Sequence, residues 1–218
     1  MDITWLGHAA FHIRSGNSSI LMDPFPSELG LQTASTFTRV PLVTISNDDP
    51  NQSAAHIVPE SPRVLTQPGE YEVAGFQIKG IRTPIASDLT EETRWNTIFL
   101  INVEGITVCH LGKLGSALTT RQIEALESPQ VLLLPVGGAS NGLTPSDAAD
   151  LANAIEPRIV VPMTYAHQGN SAALAPLSQF LTALGTKPPE EQPRLNVTRT
   201  NLPSDMQLTV LQPAGTLI

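Results

Sequence analysis

Hydrophobic residues alternate with smaller or polar ones from the start of the chain. Ile3 and Trp5, Phe11 and Ile13, and Ile20 and Met22 each recur at every second position, the period of a strand with one buried face. Ser15-Gly16-Asn17 predicts a hairpin turn between the last two pairs, and Asp23-Pro24 ends the meander. Residues 25–39 follow no period and predict no element. Residues 41–46 form a short apolar run that predicts a buried strand. It stops at Asn47-Asp48-Asp49-Pro50-Asn51-Gln52, which predicts a loop at the strand's C-terminal end. Further strands are predicted over 63–66, 71–73 and 76–81, with Pro68-Gly69 as a turn. Residues 97–103 and 106–110 predict a hairpin around Glu104-Gly105.

The second half changes rhythm. Thr119, with Gln122 three residues on, has the form of a capping box and predicts a helix start. Thr144-Pro145-Ser146-Asp147 combines an N-cap, a proline at the first helical position and an acid in the first turn, so a helix is predicted from there to about Ile155. Residues 131–135 and 158–161 read as buried strands. Leu174, Leu177, Leu181 and Leu184 share one helical face that ends at Gly185. An exposed Pro/Glu-rich loop is predicted over 187–193, then two strands over 195–199 and 207–211. A strand meander followed by alternating strands and helices predicts two packed sheets with helices outside.

Composition narrows the function. Of 218 residues, 41% are hydrophobic and 15% charged, which excludes a disordered or fibrous chain and is read as a single domain over residues 1–218. Lys and Arg number 12 against 20 Asp and Glu, a net charge of −8 that argues against nucleic-acid or anionic-membrane partners. The one cysteine, Cys109, excludes an internal disulfide framework and any Cys-rich zinc site. No apolar run reaches membrane-spanning length, and Met1-Asp2-Ile3-Thr4-Trp5 lacks the form of a signal peptide, so a cytoplasmic location is expected.

Several motifs carry a resemblance as a set. They are Trp5-Leu6-Gly7-His8-Ala9-Ala10-Phe11, Ile20-Leu21-Met22-Asp23-Pro24-Phe25, Pro68-Gly69-Glu70-Tyr71-Glu72, Cys109-His110-Leu111-Gly112, Leu132-Leu133-Leu134-Pro135-Val136-Gly137-Gly138 and Pro157-Arg158-Ile159-Val160-Val161-Pro162-Met163. In order and spacing the chain resembles the metallo-β-lactamase-fold superfamily, in the branch of ascorbate-phosphate lactonases and uncharacterised metal-dependent hydrolases. The resemblance implies an α/β fold, an αββα sandwich of two mixed β-sheets flanked by helices, with the site in a cleft at the sheet edges.

The resemblance also implies two Zn or Mn ions that activate a water, held in part by an H-x-H-x-D-H loop. Matched position by position, that loop carries Asn47, Asp49, Asn51 and Gln52 here. The later ligand positions carry Ile85, Lys113 and Thr164. Amide oxygens are poor substitutes for imidazole toward zinc, and a protonated Lys repels a cation. The expectation from these seven positions is a metal-free protein without a cofactor, a pseudoenzyme acting as a binding, regulatory or structural module. The alternative is a Zn- or Mn-dependent hydrolase, of lactonase or phosphodiesterase type, with a rebuilt site.

His8, Asp23 and His110 match retained family positions. With Asp48 they are the residual polar candidates of the cleft, either as parts of a site or as buried groups satisfied by neighbours. Lys113 either pairs in the cleft with Asp49, Asp48 or Asp23, or bends out to solvent. Ser46, Ser116 and His8 supply serine-hydrolase residue types without a G-x-S-x-G elbow. Gly137-Gly138 and the helix start at Thr144 could offer N–H groups to an anion or serve only the turn. His56 and His167 fall outside the matched positions. A small, possibly anionic ligand near Lys113 and a homo-oligomer are the expected partners.

Overall fold

The computed structural model describes residues 1–26, 30–32, 40–85, 94–138, 142–167, 173–214 and 216–217. The opening meander forms β1 (Asp2–Gly7), β2 (Ala10–Ser15) and β3 (Ser18–Met22), antiparallel to one another and joined parallel to β5 (Leu42–Thr44) and β6 (Arg63–Leu65). A short β4 (Leu31–Gln32) pairs with β15 (Thr216–Leu217); the rest of the unassigned stretch, residues 27–29 and 33–39, lies outside the described residues. With β13 (Leu195–Asn196) the first sheet runs β13-β1-β2-β3-β5-β6.

The second sheet holds β7 (Gly69–Val73), β8 (Phe76–Pro84), β9 (Trp95–Val103), β10 (Ile106–His110), β11 (Val131–Pro135), β12 (Ile159–Met163) and β14 (Gln207–Leu208). Its order is β14-β12-β11-β10-β9-β8-β7, antiparallel on the β7 side and parallel from β10 to β14.

The period-two pattern explains the layers. Ile3, Trp5, Phe11, Ile13, Ile20, Met22 and Leu42 point between the sheets into the main core. Leu21 and Val43, one residue out of phase, join Leu6, Phe25 and Ile45 in a second cluster on the outer face. Helix α2 (Pro145–Ile155) packs on β11 and on α3 (Leu177–Leu184), while α1 (Thr120–Glu124) is a single capped turn. The predicted capping box of Thr119 with Gln122 forms, and the predicted N-cap Thr144 forms a second one with Asp147.

Boundaries differ where tertiary contacts compete with pattern. The helix face read from Leu174 begins only at Leu177. The Ala175 backbone is already bonded outside the helix, its N–H to Gly137 O at 2.8 Å and its C=O to the Ala166 N–H at 3.0 Å. The strand predicted over 195–199 stops at Asn196, and a turn follows in which the Thr198 N–H donates to Asn201 Oδ1 at 2.8 Å. The strand predicted over 207–211 is likewise cut to Gln207–Leu208. Conversely, β8 and β9 extend past the predicted ends because Arg82, Thr83 and Pro84 pair with Thr97, Asn96 and Trp95. These positions break the apolar alternation, so periodicity misses them.

Candidate functional site

The cleft lies where strands of both sheets end, and three of those ends carry strained backbone. His8 after β1, Asp23 after β3 and Thr164 after β12 have φ of 50°, 43° and 54°. Left-handed backbone at a non-glycine residue costs about 1–3 kcal/mol and persists only where neighbours hold it. The holding bonds are present: the His8 carbonyl accepts from the Thr164 N–H and from Trp5 Nε1, both at 3.0 Å, and the Asp23 N–H donates to Thr44 O at 3.0 Å.

Asp23 is the buried hub of the first sheet's end. Its carboxyl accepts the Ser46 N–H at 2.7 Å and the Ser46 hydroxyl, and burial raises its pKa to about 7 against the opposing effect of those two bonds. Ser46 is therefore committed to Asp23 and is not a poised nucleophile; Ser116 is exposed elsewhere. From Ser46 the order passes down the loop. Asn47 Nδ2 donates to Ser46 Oγ at 2.8 Å and to Gln52 Oε1 at 2.7 Å, while Asn47 Oδ1 accepts the Asp49 N–H at 2.9 Å. Asn51 is exposed, its N–H bonded to Asp49 Oδ1 at 3.0 Å. Two matched ligand positions, Asn47 and Gln52, thus satisfy each other.

Lys113 reaches into this loop. Its Nζ lies 2.5 Å from Asp49 Oδ2, both side chains being largely buried. Burial alone would raise the Asp49 pKa, but the bonds from Lys113 and the Asn51 N–H, with the charges of Lys113 and Arg94, hold it below the ordinary carboxylate value. The Lys113 backbone is fixed by Asn96, whose Oδ1 accepts its N–H at 2.9 Å and whose Nδ2 donates to Leu111 O at 3.0 Å. Gly112 completes the passage. Its φ is +61°, and a Cβ there would lie 2.4 Å from Asn96 Oδ1 and 2.5 Å from Ser46 Cβ, so only glycine fits.

Gln52, Lys113 and Thr164 line one enclosed cavity of about 10 Å³, with Gly137 and Gly138 in its wall. That is room for about one water molecule. Ile85 is buried and apolar, and Asp48 faces solvent, bonded to Arg94 at 2.9 Å. At the start of α2 the Asp147 N–H donates to the Thr144 hydroxyl and the Thr144 N–H to the Asp147 carboxylate.

The two retained histidines differ. His110 Nε2 is 2.8 Å from the Ala9 carbonyl, and burial lowers its pKa to about 4, so the neutral ring donates through Nε2 and ties β10 to the β1–β2 turn. His8 packs edge-on against Phe25, ring centroids 4.7 Å apart, and 5.9 Å from the His167 ring; burial and then His167 lower its pKa to about 4. His56 is exposed away from these contacts.

Asn96, Arg82, Arg94 and Trp95 belong to the site region and escape sequence reasoning as site residues, and Ser46, read there only as a candidate nucleophile, serves instead as the partner of Asp23. For Asn96 the available signal is an amide two residues before the apolar run of residues 98–101.

Residues 2–164 match the Beta-lactamase superfamily domain, and the chain belongs to that family, the metallo-β-lactamase fold. It is 26% identical to a UPF0173 metal-dependent hydrolase of Methanopyrus kandleri over 98% of this chain and 97% of that protein. It is 30% identical to a UPF0173 metal-dependent hydrolase of Methanosarcina mazei over 76% and 83%. Among solved structures it resembles a Thermotoga maritima protein of the metallo-β-lactamase superfamily, at 30% identity and TM-score 0.76 over 96% and 97% of the chains. A metallo hydrolase of Ignicoccus hospitalis shares the fold at 19% identity and TM-score 0.70, over 100% and 97%.

These relationships correct two expectations. A metal-free pseudoenzyme and the absence of a cofactor are both overturned, because the relatives are named metal-dependent hydrolases and point to a metal cofactor. Which donors would hold it is a separate question. Among the described residues no group of three or more His, Cys, Asp or Glu could hold a metal ion. The matched positions present mutually bonded amides and a carboxylate already held by an ammonium. That set does not fit the family's pair of ions. No described helix is long and apolar enough to cross a membrane.

Proposed function

We propose that this chain is a hydrolase of the metal-dependent type, cleaving lactone or phosphodiester bonds, with a reaction centre rebuilt around Asp49 and Lys113. The observation that carries the reading is the relationship to proteins named metal-dependent hydrolases along 98% of the chain. The geometry supports it at the cleft. Lys113 is held by Asp49 and Asn96 on the loop after β10, facing the loop after β5. An ammonium fixed in a partly dehydrated cleft stabilises negative charge that develops on a carbonyl or phosphoryl oxygen. Asp49, kept ionised, holds Lys113 in place, and the Asp23–Ser46 bonds fix the loop that carries Asp49.

The test is turnover of a γ-lactone and of bis(p-nitrophenyl) phosphate by the purified protein with Zn²⁺, with Mn²⁺ and with chelator, alongside elemental analysis. Metal-stimulated hydrolysis that falls about tenfold or more in Lys113→Ala supports the reading. Blank-level turnover of both substrates under all three conditions, in protein shown to be folded by circular dichroism, overturns it.

A further inference from the structure

A groove of about 600 Å³ opens on the other side of the loop after β5, lined by Ser46, Asn47 and Asp48 of that loop and by the extended ends of β8 and β9. Its chemistry is unlike the rest of the surface. The chain carries a net charge of −8, yet among the described residues the charged groups lining the groove are Arg82 and Arg94 against Asp48. Two of the four large hydrophobic side chains that stand exposed among the described residues, Trp95 at 47% and Val64 at 41%, also line it. Exposed indole and cationic guanidinium in one concavity is the surface that planar anions recognise.

The arrangement is built by strand pairing. Pro84 pairs with Trp95 and Arg82 with Thr97, so Arg82 and Trp95 are diagonal neighbours on one face. The Arg82 guanidinium lies over the Trp95 ring, 5.4 Å from its centroid, and donates to Gln67 Oε1 at 2.9 Å. Stacking and that bond hold the fork flat, and Gln67 takes one of its five N–H donors. Arg94 meets the exposed Asp48 at 2.9 Å, a pair that an incoming anion can exchange.

We infer that this groove binds the substrate's anionic, ring-bearing part, a phosphorylated aromatic group such as a nucleoside monophosphate, and that the bond cleaved at Lys113 lies in a further ester joined to it. The phosphate meets Arg82 and displaces Asp48 from Arg94, while the ring lies against Trp95 and Val64. A substrate anchored there lies one residue along the loop from Asp49, which holds Lys113. The assignment to substrate rests on the hydrolase reading; the binding does not.

Tryptophan emission tests the binding directly, because the chain has two tryptophans and Trp5 is fully buried. Adenosine 5′-monophosphate and p-nitrophenyl phosphate are titrated as probes, with adenosine as the uncharged control and no metal added. The expected result is a saturable change in emission that is lost in Trp95→Phe, weakens with added salt, and is about tenfold weaker for adenosine than for its monophosphate. Arg82→Gln weakens the monophosphate by about tenfold, while Asp48→Asn tightens it about twofold to fivefold by removing the competing carboxylate. Equal affinity for adenosine and its monophosphate overturns the inference. So does no saturation by either phosphate at millimolar concentration, or indifference to both Arg82→Gln and Asp48→Asn in folded protein. Binding as predicted without hydrolysis of any ester leaves the groove and removes the hydrolase reading. Metal-stimulated hydrolysis unaffected by Arg82→Gln leaves the hydrolase and removes the groove.

Discussion

Asp23 and Asp49 stand at the two ends of one hydrogen-bonded loop and obey opposite electrostatics. Asp23 is sealed among strand ends, has no cationic partner among its bonds, and is pushed up by burial. Asp49 lies at the edge of the cleft, meets an ammonium, and is held down. The first keeps the framework that aims the loop. The second occupies a position that the sequence resemblance matches to a metal ligand. The contrast teaches that a fold can retain the scaffold of a site while the reacting positions change, because the scaffold is required for folding and the reacting groups are not.

The sharpest separation of the two carboxylates is by pH. Burial pushes the folded pKa of Asp23 to about 7 from the ordinary 3.8, so its contribution to stability falls as pH rises from about 4 to 7 and is constant above. The difference in unfolding free energy between the native protein and Asp23→Asn, from urea melts, should therefore fall with pH by of order 4 kcal/mol across that window. Taking the difference removes the buried His8, His12 and His110. Their pKa values are lowered to about 4, and the stability they contribute is lost as pH falls below 6.5. A flat difference curve would mean that Asp23 is ionised throughout.

Removing the hub altogether comes next. Asp23→Ala leaves the buried Ser46 N–H and hydroxyl without their acceptor and is expected to cost about 2–3 kcal/mol at pH 7, read from the urea midpoint. Gly112→Ala attacks the wall shared by both regions. Its new Cβ meets Asn96 and Ser46, and the expected loss is about 2 kcal/mol with a fall in turnover, measured by thermal melts and by hydrolysis. Lys113→Ala is the smallest structural change. Breaking this partly buried pair leaves Asp49 with the Asn51 N–H and the charge of Arg94, so the expected loss is about 1–2 kcal/mol while turnover drops. If Lys113→Ala destabilised as much as Asp23→Ala, the pair would belong to the framework and the contrast would fail.

The strands of the meander, both N-caps and the layered fold were legible because each rests on local rules: period two, a hydroxyl three residues before its partner, proline at a first turn. The ends of β8 and β9 were not. Arg82, Asn96 and Trp95 break the apolar alternation, and they are strand only because each finds its partner across the hairpin. Of the cleft residues, sequence order brought Asn47, Asp49, Asn51 and Gln52 to one loop. It left open whether Lys113 faced them, and it missed Ser46 and Asn96 as the groups that hold them.

By itself the sequence determined the family, the two-sheet architecture and the four polar residues of the cleft loop, Asn47, Asp49, Asn51 and Gln52, since motif, period and composition are properties of neighbours along the chain. Tertiary structure alone decided which groups of the cleft meet. Lys113 is 64 residues from Asp49, Ser46 is 23 from Asp23, and Arg82 meets Trp95 only through the β8–β9 register. Such encounters depend on where strands end and how they pair, and burial then decides whether each carboxyl keeps its proton.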